Sequence, residues 1–87
     1  MSELKNELKD MLKTQCGVIS EISDDAILFG VGEQFGLDSI DYLQICMYLC
    51  VTYGIEIKLA EYRVTFLTVL KDINTMADYV SKHRGEI

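Results

Sequence analysis

The chain has 87 residues, the length of one domain, and its 49% apolar and 25% charged content is that of a globular protein rather than a disordered tail. Folding at this size removes only about 60–65% of the unfolded surface from water, so a net stability of roughly 4–13 kcal/mol is expected and a large enzyme cleft is excluded. Fourteen acidic against eight basic side chains give a net charge of −6 and an isoelectric point near 4.5. That balance repels nucleic-acid phosphates and anionic lipid, and favours a basic partner surface.

No positively charged segment precedes a cleavable apolar run, and the longest apolar stretch, Ile45 to Val51, is far too short to span a bilayer. A cytoplasmic chain without membrane insertion is expected. Cys16, Cys46 and Cys50 are odd in number and contain no CxxC pair, which argues against a disulfide framework or a zinc site.

From Ser2 to Cys16 the residues Leu4, Leu8, Met11 and Leu12 recur at helical spacing, with Lys5, Lys9 and Lys13 outside that stripe as a solvated face. Gly17 stands where a left-handed cap is expected. An irregular stretch then runs to Leu37, and Ile22, Ile27, Leu28 and Phe35 are its candidate anchors, because long loops without secondary structure of their own need pinning. Within it, Ser23-Asp24-Asp25 before Ala26-Ile27-Leu28 suits a single helical turn.

A second helix is predicted from Asp38 or Ser39 to about Tyr53, ending before Gly54. Its apolar side chains cover about two-thirds of the circumference, leaving Asp41, Gln44, Tyr48 and Thr52 as a polar strip, so it is expected to be the central helix. Ile55-Glu56-Ile57 alternates like a strand but has no partner, and reads as an extended linker. A short helix is expected from Leu59 to about Val64. In the last helix Val69, Leu70, Ile73, Met76, Ala77 and Val80 share one face, with Thr68 the expected N-cap and Gly85 the terminator. The sum is one all-α domain spanning residues 1–87. It is a small antiparallel four-helix bundle, three main helices plus a short one, with a long loop between the first two.

Most chemical signatures fail. In Gly30-Val31-Gly32-Glu33-Gln34-Phe35-Gly36 the third glycine is one place late for a dinucleotide fingerprint and no strand precedes it. No Walker loop occurs, and Asp24 and Asp25 lack the alternating oxygen ligands of a calcium loop. His83 is the only histidine and lies near the C-terminus, so side-chain catalysis is not expected. Cys46 and Cys50, one turn apart, read as two small apolar core residues rather than a thiol pair.

One segment concentrates features that call for more: Phe35-Gly36-Leu37-Asp38-Ser39-Ile40-Asp41. A serine in the first turn of a helix puts its hydroxyl beside free backbone N–H groups and the positive end of the helix dipole, where an attached phosphate is stabilised. Gly36 permits the positive φ of the turn, and Leu37 and Ile40 are expected to anchor it in the core. The plainer reading is that Asp38 or Ser39 caps the helix.

Gly36-Leu37-Asp38-Ser39-Ile40-Asp41 resembles the prosthetic-group attachment motif of acyl carrier proteins, Asp-Ser-Leu/Ile after a glycine and an apolar residue. The context agrees: a mid-chain position in an acidic chain, a long preceding loop, Tyr53-Gly54-Ile55-Glu56-Ile57 where the family has Phe-Gly-Ile-Glu-Ile, and Phe66-Leu67-Thr68-Val69 with Ile73 at the start of the last helix. The resemblance covers about residues 2–83. It implies a carrier that catalyses nothing itself, with 4′-phosphopantetheine from coenzyme A esterified to Ser39 by a phosphopantetheinyl transferase and acyl groups held on its thiol. It also implies that the bundle interior shelters the acyl chain. Partners would be that transferase and the acyl-transfer and condensing enzymes of fatty-acid, lipid or polyketide-type synthesis. Their basic docking surfaces would meet Asp38, Asp41 and the exposed side of the second helix, and the carrier itself would be monomeric.

The chain departs from the family where acids are common, having Gln44, Cys50 and Val51; it has Lys58 in place of a proline and only Glu61 in the short-helix region, and Tyr48 adds an aromatic to the exposed strip. The expectation is a specialised carrier whose partners read a less charged surface through Gln44, Tyr48 and Val51. Two alternatives stand beside it. One is an acidic helical interaction module without a prosthetic group. The other is an aminoacyl carrier, whose Leu-Gly-Gly-His/Asp-Ser pattern the chain matches less well for want of the double glycine.

Overall fold

Among the described residues three helices surround one apolar core, and the start of the second positions Ser39. The computed structural model describes residues 2–29, 32, 35–56 and 69–84. Among these residues the regular structure is entirely helical: α1 is Ser2–Gln15, α2 is Ser39–Tyr53 and α3 is Ile73–His83. The short helix expected from Leu59 to Val64 lies outside the described residues, as do Thr68 and Gly85.

The α1 stripe is buried as its spacing predicts, with Leu4, Leu8, Met11 and Leu12 all in the core. It meets both other helices, and it is α1 rather than α2 that joins the described elements. The C-terminal end of α1 lies against the start of α2, where the Cys16 thiol is 4.0 Å from the Asp41 carbonyl oxygen. Gly17 follows at φ +72°, the left-handed conformation that lets the chain leave the helix.

The long connector is a strap stitched to helices at both sides. The Lys9 ammonium lies 2.7 Å and the Lys5 ammonium 3.5 Å from the Asp24 carboxylate, so these two lysines brace the loop instead of forming a purely solvated face. The Asn74 N–H donates to the Asp24 carbonyl at 3.1 Å, and the Leu28 N–H to the Lys71 carbonyl at 2.7 Å. The Asn74 bond occupies an amide that the first turn of α3 would otherwise leave unsatisfied. The turn at Asp24 and Asp25 is closed by the Ala26 N–H on the Ser23 carbonyl, and goes no further as a helix. Of the expected anchors, Ile22 and Leu28 are fully buried while Ile27 and Phe35 are only half-buried. Val18 and Phe29 complete the set, the latter edge-on to Tyr42 with ring centroids 6.1 Å apart.

Helix α3 starts later than its apolar pattern suggests. Its cap is Asp72, whose carboxylate accepts from the Thr75 N–H at 2.8 Å while the Thr75 hydroxyl accepts from the Asp72 N–H at 3.1 Å. Val69 and Leu70 therefore approach the core from the segment before the helix, Leu70 fully buried and Val69 partly so. At the other end the helix gives way at Arg84, whose guanidinium sits 5.2 Å from the centre of the Tyr53 ring. That contact brings the C-terminal ends of α2 and α3 together.

Candidate functional site around Ser39

The start of α2 is built by Asp38-Ser39-Ile40-Asp41. Asp38 is extended at φ −116°, and one of its carboxylate oxygens accepts from the N–H groups of Ile40 at 3.0 Å and Asp41 at 3.1 Å. The Asp41 carboxylate reaches back to the Asp38 N–H at 3.0 Å, closing a reciprocal capping box. The Tyr42 N–H goes to the Asp38 carbonyl at 3.0 Å. The amides of residues 40, 41 and 42 are thus all engaged by Asp38, so the expected anion cradle of free N–H groups is already occupied by a carboxylate.

Ser39 is left as the uncommitted group of this turn. Its side chain is exposed and among the described residues its hydroxyl has no hydrogen-bond partner, while Asp38 is exposed and Asp41 half-buried beside it. Gly36, two residues before the cap, holds φ +67° and a Cβ built on it would meet nothing within 4 Å, so its requirement is conformational rather than steric. Leu37 packs partly against the core as expected, but Ile40 does not: it is 64% exposed.

The rest of α2 divides into two faces. Tyr42, Ile45, Leu49 and Tyr53 are buried, and the helix ends on Gly54 at φ +67°, whose N–H returns to the carbonyls of Leu49 and Cys50. On the other side Leu43, Met47 and Val51 are 47%, 69% and 83% exposed. The expectation of a helix central to the core is corrected by this split, because the apolar side chains outnumber those the neighbouring elements cover. Gln44 and Val51 are exposed, as the partner-surface reading requires. Tyr48 is not a free surface aromatic; it is half-buried and packs edge-on to Tyr53 with centroids 6.0 Å apart. Together with Gln15, Met47 and Thr52, these residues line an open groove of about 200 Å³ between α1 and α2.

The cysteines separate by environment. Cys46 is half-buried against the core, whereas Cys50 is exposed, which corrects the reading of both as core residues. Burial pushes the Cys46 thiol up, against a lowering contribution from the Tyr42 hydroxyl. Cys16 is raised to about 11, by burial first and then by the Asp41 and Asp38 carboxylates. Tyr53 is also held in its protonated form, chiefly by burial, with Tyr48 and Glu7 adding to the effect and Arg84 opposing it.

Among the described residues no cluster of histidine, cysteine or acidic side chains is arranged to hold a metal ion, and no helix is long and apolar enough to cross a membrane. Comparison with models of protein families, with curated proteins and with solved structures finds no match to this chain. Ile40, Leu43 and Met47 are the surface residues that periodicity alone did not single out. Their signal was present in the excess of apolar residues around α2, more than a domain of this size can bury.

Proposed function

We propose that this chain is an acyl carrier whose attachment residue is Ser39, within the four-helix bundle that its resemblance implies. The observation that carries the reading is the uncommitted, exposed Ser39 hydroxyl in the first turn of a helix, flanked by two acids that cap that helix without using the serine. A hydroxyl with no structural duty can be esterified without unfolding anything. In the transfer, Ser39 Oγ bonds to the phosphorus bearing the pantetheine of coenzyme A, the bond to the 3′,5′-adenosine bisphosphate leaving group breaks, and the hydroxyl proton passes to the transferase. When attached, 4′-phosphopantetheine supplies a terminal thiol that holds acyl groups as thioesters.

The residues of the chain do the presenting. Asp38 and Asp41 fix the helix start and place negative charge beside the serine, where it attracts basic groups of a partner enzyme and speeds encounter. The same charges do not bind the phosphate, because their carboxylates repel it and the amides they engage are no longer free. Attachment here rests on the covalent bond alone. Tethering then raises the effective concentration of the carried group at each partner, acyl-transfer and condensing enzymes among them.

The test is the intact mass of the chain after incubation with coenzyme A and a phosphopantetheinyl transferase of broad carrier range, with Ser39→Ala alongside. Addition of one phosphopantetheine to the wild type and none to a folded Ser39→Ala is the expected result. No addition to the folded wild type would move the assignment to an acidic interaction module.

A further inference from the structure

The two cysteines of α2 lie in line with Ser39. At 100° per residue Cys46 and Cys50 fall within about 20° of the serine around the helix, and Leu43 within about 40°. The helix is continuous from Ser39 to Tyr53, so Cys50 stands roughly 16 Å beyond Ser39 along its axis at about 1.5 Å per residue. The thiols differ in access, Cys46 being half-buried against the core and Cys50 exposed. Cys16 is off this line, just past the end of α1 with its thiol 4.0 Å from the Asp41 carbonyl oxygen.

That spacing matches the group Ser39 would carry. Phosphopantetheine has about thirteen bonds between phosphorus and sulfur, and at the roughly 1.2 Å per bond of an extended chain it spans about 16 Å. Laid along α2, it reaches Cys50 with its terminal sulfur. The surroundings suit what that sulfur would hold. Leu43 and Met47, on the turns before Cys50, are 47% and 69% exposed, and Val51 beside it is 83% exposed. No side chain from Tyr42 to Tyr53 carries a full charge at neutral pH. An acyl chain running back from Cys50 over Met47 and Leu43 covers apolar surface that the described elements leave in water.

We infer that Cys50 is a second acyl site, loaded within the same chain from the arm on Ser39. This inference rests on the carrier reading, which supplies the arm. In the exchange Cys50 Sγ, as the thiolate, bonds to the acyl carbonyl carbon, the bond between that carbon and the arm's sulfur breaks, and the proton given up by Cys50 ends on the arm's sulfur. One thioester replaces another, so nothing is oxidised or reduced and neither side is strongly favoured. Tethering makes the step intramolecular, at an effective concentration in roughly the millimolar range. Transfer frees the arm's thiol while the acyl group stays on the chain, so one carrier holds a group in reserve and is open to a second.

The experiment charges the unmodified chain with butyryl-phosphopantetheine, using butyryl-coenzyme A and a purified transferase of broad carrier range. The charged chain is freed of excess donor and held at neutral pH; free thiols are then alkylated and the butyryl group is located by fragment masses. Butyryl is expected to appear on Cys50 with first-order kinetics, to reach a share comparable with that on the arm, and to keep its rate within about twofold on tenfold dilution of the chain. Cys50→Ala retains all butyryl on the arm. Ser39→Ala, given about 50 μM butyryl-coenzyme A, gains butyryl at Cys50 at least about tenfold more slowly. Circular dichroism confirms that each variant is folded. If butyryl stays on the arm alone, is found on Cys46 instead, reaches Cys50 equally fast in Ser39→Ala, or moves at a rate that falls with dilution, the Cys50 site is refuted and the carrier reading stands. If the folded wild type takes up no phosphopantetheine, the carrier reading falls and this site with it.

Discussion

A single carboxylate organises the approach to Ser39. Asp38 satisfies the amides of Ile40 and Asp41 with its side chain and that of Tyr42 with its carbonyl, so Asp38→Ala removes the cap without touching the serine. The expected loss is about 1 kcal/mol, or roughly 4–8 °C in Tm for a domain of this size, with Asp38→Asn restoring most of it. Thermal unfolding by circular dichroism measures both; equal Tm values for Ala and wild type would show that the cap contributes nothing. The thiols make a second residue-scale prediction. Cys50 is exposed, Cys46 is half-buried, and Cys16 is raised to about 11, so limited alkylation near neutral pH modifies Cys50 first and Cys16 last. Peptide mapping by mass reads the order. Because the folded Cys16 thiol titrates above its ordinary value, its contribution to stability is fully present below about pH 9 and is lost as pH rises from there toward about 11.

Helix α2 is where the partition between core and surface was decided. Leu49 is fully buried and Val51, two residues on, is 83% exposed. Leu49→Ala should therefore cost about 2–5 kcal/mol and Val51→Ala less than about 0.5 kcal/mol, as measured by urea unfolding. Comparable losses at both positions would mean that the outward face is covered. Gly54 ends the helix at φ +67°, and Gly54→Ala is expected to lose about 1–2 kcal/mol through the strain of a Cβ in that conformation. The beginning and end of this helix were legible in the sequence because an acid four places before Tyr42 and a glycine after Tyr53 are local signals. Which apolar face is buried was not, because both faces carry large apolar side chains and the elements that pack on one of them, α1 and the loop residue Phe29 among them, come from elsewhere in the chain. The start of α3 departs from its apolar pattern for the opposite reason. Apolar spacing continues back through Leu70 and Val69, yet the Asp72-x-x-Thr75 capping box sets the helix start at Ile73.

For the whole molecule, the connector between α1 and α2 works as a clasp. The Lys9 ammonium hydrogen-bonded to Asp24 holds that carboxyl below its ordinary value, opposed by desolvation as the next largest effect and aided by the charges of Lys9 and Lys5. A carboxylate whose folded pKa is depressed adds stability that is present above its unfolded value, near pH 4, and is lost as pH falls through the folded one. Asp24→Asn should accordingly flatten the acid limb of a stability-versus-pH curve below about pH 4 and leave the alkaline limb unchanged; an unaltered acid limb would show the clasp to be incidental. Since Asp24 is also tied by its backbone to Asn74, the variant tests the side-chain half of the clasp alone.

Composition and local pattern were enough to settle that the chain is acidic, that its described regular structure is helical, where α1 and α2 lie, and that a carboxylate at the start of α2 caps it. These are short-range properties: helical period, capping carboxylates and a glycine at positive φ are written within a few residues of one another. Tertiary structure alone decided that Lys5 and Lys9 brace a distant loop, that Cys46 and Cys50 face different surroundings, and that Ile40, Leu43, Met47 and Val51 remain uncovered. Each of those depends on which neighbour arrives from far along the chain, and burial is a property of the packed whole rather than of any window of sequence.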